Sequence, residues 1–290
     1  MHVTMYMFIA ATMSKRQITK QVLSWQLPTA WVAPVVAALH ASTARDLDGL
    51  EVFAGAKHLT AGCRSHGLLF ETIEVQDGAD QDVLTPAGLA KSISFLCRVK
   101  TGGLLWLGIP CSSWVFVGRA NAQRYFFHPE GNTNNEYTSR HNQIAEVGMN
   151  LAWLAHCLGV FFVIEQPSSS ALFSWWPMLR TLFRCGCTRV SISLGSFGAP
   201  SQKSLVLHGT TPWLKDVQDA SKSFRPQNPG KRQPLVQKKT IKLGIRISGK
   251  AHTLKKSGEY PPRFGDLIGQ LPSKIHTQNK VRKRLFSIRD

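Results

Sequence analysis

The chain reads as an α/β protein built on a doubly wound, mostly parallel sheet. Three observations predict this. Short apolar segments alternate with segments of helical period along residues 49–208. Two of the apolar segments, 103–107 and 160–164, run without a charged residue, as strands buried on both faces do. Glycine, proline or an acid follows the apolar segments, where strands of such a sheet turn out into loops.

Residues 28–42 (PTAWVAPVVAALHAS) predict a helix entered after a proline. Residues 49–53 form a short strand followed by a glycine turn, and 59–66 open a helix. Residues 69–75 alternate well enough for a second strand, with Glu74 near its end. Leu89, Ile93, Leu96 and Cys97 give 86–100 helical spacing, and strand 103–107 runs into Pro110-Cys111. The polar stretch 118–142, rich in Asn, Arg and Gly, predicts a mobile loop over an active site. Ile144, Val147, Leu151, Leu154 and Leu158 share one face of a helix, and 160–164 is the next strand. A helix over 177–183 and strands over 189–193 and 204–208 complete the pattern. From 219 to 256 the chain is basic and reads as a linker with a short hairpin around 240–248. A proline-capped helix over 259–271 should dock back on the sheet. The divisions are an N-terminal extension 1–45, an α/β domain 46–214 and a basic, partly irregular region 215–290.

Charge separates these parts. Of 35 basic and 17 acidic residues, 19 and five lie in 215–290, a net of +14 against +4 for the rest. A field of that sign favours a polyanionic partner; the plain alternative is a solvated basic tail. The six cysteines (63, 97, 111, 157, 185, 187) are scattered, which reads as reduced thiols without a structural metal. The opening MHVTMYMFIAATMSKR is apolar but short and without a basic leader, so no signal peptide is expected, and no apolar run is long enough to span a bilayer. A nuclear or otherwise intracellular setting is expected, with no membrane partner.

Gly55, Glu74, Pro110, Cys111 and Glu165 all fall at predicted strand ends. The ligand crevice of a doubly wound sheet lies at that edge. A carboxyl closing an apolar strand, such as Glu165, is costly without a partner or a use. A thiol and a carboxylic acid that meet there can attack and protonate a pyrimidine ring. Singly, each has an ordinary reading: Cys111 as a packed cysteine, Glu165 as a cap for the segment that follows.

The four motifs EVFAG (51–55), GIPCSSW (108–114), VIEQP (163–167) and FGAPSQK (197–203), in that order, resemble those of the cytosine-5 DNA methyltransferases. The resemblance covers about 48–214, with a fainter echo near 259–271, and the Glu-Gln-Pro and Pro-Cys-Ser-Ser-Trp variants are similar to divergent methylase-like proteins of algae and protists. It implies a Rossmann-like methyltransferase fold and S-adenosylmethionine as cofactor. It also implies Cys111 as nucleophile and Glu165 as acid. Phe53, Ala54, Gly55, Leu59, Thr60, Glu74, Asp82 and Pro110 would hold the cofactor, with Glu74 on the ribose, Asp77 as its rival, and Asp82 on the adenine. Ser113, Arg119, Arg124 and Lys203 would contact nucleic acid, DNA rather than RNA, with Arg119, Arg124 and Arg140 clamping phosphates as the loop closes.

The chain departs from the family at Lys57-His58, where two glycines are usual, and at Leu205, where an arginine is usual. Those departures motivate two alternatives: a methyltransferase-like nucleic-acid-binding protein without catalysis, and an RNA cytosine methyltransferase.

Overall fold

The computed structural model describes residues 13–41, 44–224, 237–241, 244–248 and 258–272. The expectations for 1–12, for most of the basic linker and for the basic end beyond 272 lie outside the described residues.

Among these residues a six-stranded sheet runs in the order β2-β1-β3-β4-β6-β5. Strands β1 (Leu47–Val52), β2 (Phe70–Ile73), β3 (Val99–Leu107) and β4 (Phe161–Pro167) are parallel. β6 (Ser204–Gly209) runs antiparallel to both its neighbours, β4 and β5 (Thr188–Ser193). The sheet is therefore mixed, mostly parallel, and compatible with a Rossmann-like fold.

The strand order turns around beside β1. Helix α3 (His58–Ser65) leads from β1 to β2 on one side, and α4 (Pro86–Arg98) leads from β2 back to β3 on the other. Loops leave a doubly wound sheet in opposite directions at such a point and open a crevice. The register lines up the strand ends around it. Val52 stands level with Ile73 and Leu107, and Leu107 with Ile164. Phe53, Glu74, Gly108 and Glu165 are thus the next residues out on four neighbouring strands.

Successive strand residues face opposite ways. Leu50, Val52, Leu105, Leu107, Phe162 and Ile164 bury against one helical layer. That layer holds α1 (Lys15–Leu23), α2 (Thr29–Ala41), α4, α6 (Glu136–Cys157) and α7 (Trp176–Arg184). Leu104, Trp106, Val163, Val190 and Leu207 bury on the other face, against α3, α8 (Leu214–Ser223) and the helix 262–272, here α9.

Helix α9 docks back on the sheet, as expected of the proline-capped segment. Phe264, Ile268 and Leu271 are buried, and Phe264 meets Trp106 edge-on at 5.7 Å. Gly62 of α3 faces Gly265; a Cβ there would stand 2.1 Å from the Gly265 carbonyl carbon, so the two helices touch backbone to backbone. The His58 ring donates from Nδ1 to the Tyr260 carbonyl at 2.6 Å, which ties the start of α3 to the chain entering α9.

Two differences from the sequence reading stand out, and the direction of one strand, which that reading left open, is set. Helices α1 and α8 were not expected. The polar stretch is partly ordered: α5 (Arg119–Ala122) lies within it, and α6 begins at Glu136, eight residues before its apolar face, under an Asn135 cap. The strand at 204–209 enters antiparallel. Strands β7 (Gln237–Ile241) and β8 (Gly244–Ser248) form the expected hairpin. Among the described residues no helix is long and apolar enough to cross a membrane.

Candidate active site

After β3 the chain turns through Gly108, Ile109 and Pro110 to Cys111. This turn is pinned from two sides. Gln166 of β4 donates its amide to the Ile109 carbonyl at 2.6 Å and accepts from Ser170 Oγ at 2.9 Å. Gly148 brings α6 down on the turn, since a Cβ there would stand 2.9 Å from the Ile109 side chain. Gln166 thus faces away from Glu165 and holds the cysteine turn; it does not tilt the carboxyl.

Glu165 is 7% exposed, on the face covered by α9. Tyr260 donates its hydroxyl to Glu165 Oε2 at 2.9 Å and accepts from Trp106 Nε1 at 3.0 Å. The other carboxyl oxygen, Oε1, has no partner among the described residues. Burial pushes the Glu165 carboxyl above the ordinary range, opposed by the Lys203 ammonium and the Tyr260 hydroxyl. Burial also pushes the Cys111 thiol up; Lys203 opposes this and Glu165 adds to it. Cys111, Glu165 and Lys203, 92 residues apart at the extremes, therefore act on one another. A carboxyl that burial shifts toward its neutral form, beside a thiol whose charge a cation favours, can serve as an acid next to a nucleophile.

Beside Cys111 stands a second polar group. The His141 Nδ1–H donates to the Tyr137 carbonyl at 2.8 Å, because a carbonyl can only accept. Burial lowers the His141 pKa below its ordinary 6.5, so the ring is neutral at pH 7. Its Nε2 lone pair then accepts from Ser112 Oγ at 3.0 Å. Tyr137 donates its hydroxyl to the same oxygen at 2.9 Å. Ser112 itself is exposed. An exposed hydroxyl held against a neutral imidazole is a ready proton relay.

Arg124 does not lie where a phosphate could meet it. It is 0% exposed, its guanidinium 3.5 Å over the Trp114 ring. It donates to the carbonyls of Pro129, Glu130 and Thr138, to Asn142 Oδ1 and to Ser113 Oγ. Burial pulls its pKa down to about 10. Ser113 is likewise fully buried beneath it. Both residues brace the polar segment from inside, because a guanidinium can satisfy several carbonyls at once. Arg140 is engaged too, pairing with Asp82 at 2.8 Å. Arg119 opens α5; its side chain lies outside what the structure describes.

The expected cofactor residues stand at the ends of β1 and β2. Phe53 and Lys57 are left-handed, with φ of 62° and 58°, and Gly55 has φ 51°. Bulky residues adopt that region only where the surroundings impose it. Lys57 is tied to Asp77 at 2.6 Å, so the acid that rivalled Glu74 is already paired. Glu74 Oε2 accepts from the Gly55 amide at 2.7 Å, and Oε1 from the Gln76 amide. The Gly55 amide is thus not free. Leu59 is fully buried in the core and Thr60 is 2% exposed; they anchor α3 instead of facing the crevice. Thr60 donates its amide and hydroxyl to Glu51 Oε2 at 3.0 and 2.6 Å. Glu51, the acid of EVFAG, leaves Oε1 without a partner among the described residues. Burial, against the two Thr60 bonds, pushes its carboxyl up to about 7.

Gly55 remains exposed, with no atom within 4 Å of where a Cβ would stand. Among the described residues no cluster of three or more His, Cys, Asp or Glu side chains is arranged to hold a metal ion. No model of a known protein family matches the chain, and no curated protein matches it either.

Sequence reasoning missed Tyr260, His141 and Glu51. A signal existed for two of them. Glu51 is an acid inside an apolar strand, and Tyr260 opens the docking segment. Nothing local marked His141.

Proposed function

We propose that this chain transfers a methyl group from S-adenosylmethionine to carbon 5 of cytosine in nucleic acid, DNA in preference to RNA. The observation that carries the reading is the coupled group of Cys111, Glu165 and Lys203 beside the switch point of the sheet.

Carbon 5 of cytosine is a poor nucleophile. The Cys111 thiol first gives its proton to solvent, with Lys203 holding the charge; attack of the thiolate on carbon 6 then forms a C–S bond and moves an electron pair toward ring nitrogen 3. Glu165 delivers its proton there. Carbon 5, now part of an enamine, would take the methyl, and the electron pair of the broken sulfur–methyl bond would leave with the donor sulfur as a neutral thioether. S-adenosylmethionine bound beside β1 and β2 supplies that methyl as an electrophile. The donor set suits such a group: open space over Gly55, the half-buried Phe53 ring, and Glu74 with lone pairs left for ribose hydroxyls. Lys203 would stay close to the reacting ring and hold the thiolate charge.

Ser112 and His141 would take the carbon 5 proton. That proton passes to Ser112 Oγ while the serine proton moves to His141 Nε2. The C–H electron pair restores the ring double bond and expels Cys111 as thiolate. The proton on nitrogen 3 returns to Glu165, and His141 later loses its extra proton to solvent.

A second reading, binding without catalysis, is favoured by one observation: Gly55 and Glu74 satisfy each other across the cofactor turn. Labelled S-adenosylmethionine with cytosine-rich DNA and RNA tests both. Label in nucleic acid that vanishes in Cys111→Ala supports the enzyme. No label, and no rise of melting temperature with the cofactor, leaves the binding protein.

A further inference from the structure

The segment between Cys111 and α6 uses its buried arginine to hold up an apolar tip. Tyr125 and His128 exchange backbone hydrogen bonds, each 3.1 Å, and close a two-residue turn on Phe126 and Phe127. Arg124, next to Tyr125, fixes the turn from beneath by bonding the Pro129 and Glu130 carbonyls that leave it. Asn142 of α6 donates to the Glu130 carbonyl at 3.0 Å. Gly131, with φ 64°, admits the close pass of the returning strand.

What this frame presents to water is aromatic. Tyr125 is 63% exposed, Phe126 52% and Phe127 101%. Phe116 and Val117, just after Cys111, are exposed as well. Rings held in order against water gain little by it, and a buried guanidinium with no carboxylate hydrogen-bonded to it among the described residues is costly to keep. A tip built at that cost implies a partner that takes the rings out of water.

We infer that the Tyr125–His128 turn is a base-stacking tip, on which Phe127 and Tyr125 receive unpaired bases of a nucleic acid strand. Charge selects the class of partner. The chain carries 35 basic and 17 acidic residues, a net of +18, which favours a polyanion. Size agrees: two rings match one or two bases, whereas a stable protein interface covers about 800 Å² per partner. Flanking Asn121, Thr133 and Asn134 are exposed and offer neutral hydrogen bonds. Rings reach a base face only where a neighbouring base does not cover it, so single strands are preferred over duplex. The inference rests on the nucleic-acid part of the proposed function and not on methyl transfer.

The test measures binding of a fluorescein-labelled, mixed-sequence oligonucleotide to the full chain, as single strand and as duplex, without methyl donor. Wild type is compared with Phe127→Ser and with the Tyr125→Ser/Phe127→Ser pair, both checked for an unchanged melting temperature. The inference expects single-strand affinity to fall about tenfold or more in the pair. It expects the dependence on salt to stay the same, because phosphate contacts lie elsewhere. Equal affinity of wild type and the pair overturns it. So does a wild type that binds no oligonucleotide, or a pair that loses only binding to vesicles of anionic phospholipid. A wild type that methylates nothing yet binds through the tip supports this inference and removes the methyltransferase reading.

Discussion

The two halves of the sheet edge are built on opposite terms. At the ends of β1 and β2 the polar groups satisfy one another: Glu74 takes the Gly55 amide, Lys57 takes Asp77, Arg140 takes Asp82. At the ends of β3 and β4 the charges are left in want. Glu165 keeps one oxygen without a partner among the described residues, and both Glu165 and Cys111 sit in surroundings that disfavour their charged forms. The first half is bonded within itself except at Glu51, which also keeps one oxygen without a partner among the described residues. The second stores unfavourable electrostatics that a reacting ring would relieve. Perturbed groups of this kind gather at functional sites, and structural networks hold them as well, as Glu51 does.

Breaking the second half should cost most. Glu165→Gln keeps the Tyr260 bond but has no proton to give. Turnover should fall about 10²- to 10⁴-fold, with nucleic-acid affinity little changed. Equal turnover in the variant removes Glu165 from the chemistry. Ser112→Ala should separate the steps: the adduct still forms, and its release slows about 10²-fold or more. An adduct that never accumulates argues against the relay.

The brace comes next. Arg124→Met leaves several carbonyls without a donor and should lower stability by about 3 kcal/mol, read by denaturant unfolding. A loss under about 1 kcal/mol means the guanidinium is not the anchor.

Glu51 gives a pH test on the first half. Its folded pKa, about 7, is raised above the ordinary 4.5. The folded state therefore holds a proton that the unfolded state gives up. The stabilising contribution is whole below about pH 4.5 and is lost as pH rises to 7 and beyond. The loss amounts to about 3 kcal/mol. Glu51→Gln should flatten that decline, with wild type and variant alike near pH 4 and the variant more stable at pH 8. Parallel stability curves contradict it. The smallest effect belongs to Lys57→Gly, which relieves a left-handed backbone but loses a half-exposed ion pair. Stability should change by no more than about 1 kcal/mol, and more favourably at high salt.

Much of the frame was legible in the residues. Apolar runs ending in Phe53, Pro110 and Glu165 marked strand ends, and the sheet brings those ends into one row. The prolines at 261 and 262 marked the start of a docking helix. What escaped was what depends on distant partners. Tyr260 meets Glu165 across 95 residues, and no local pattern encodes that pair. Arg124 sits in a polar segment that reads as surface, yet carbonyls folded around it make it core. Ser113 followed it inward. The reversal of β6 came from the short 194–203 connection, which returns the chain beside β5, and an apolar run does not state its direction.

The most direct measurement is mass spectrometry of the chain incubated with S-adenosylmethionine and DNA carrying 5-fluorocytosine, which cannot lose its carbon 5 substituent as a proton. The account predicts a covalent adduct on the peptide bearing Cys111, absent in Cys111→Ala. A wild-type chain that binds both the cofactor and the DNA yet stays free of any adduct would contradict it.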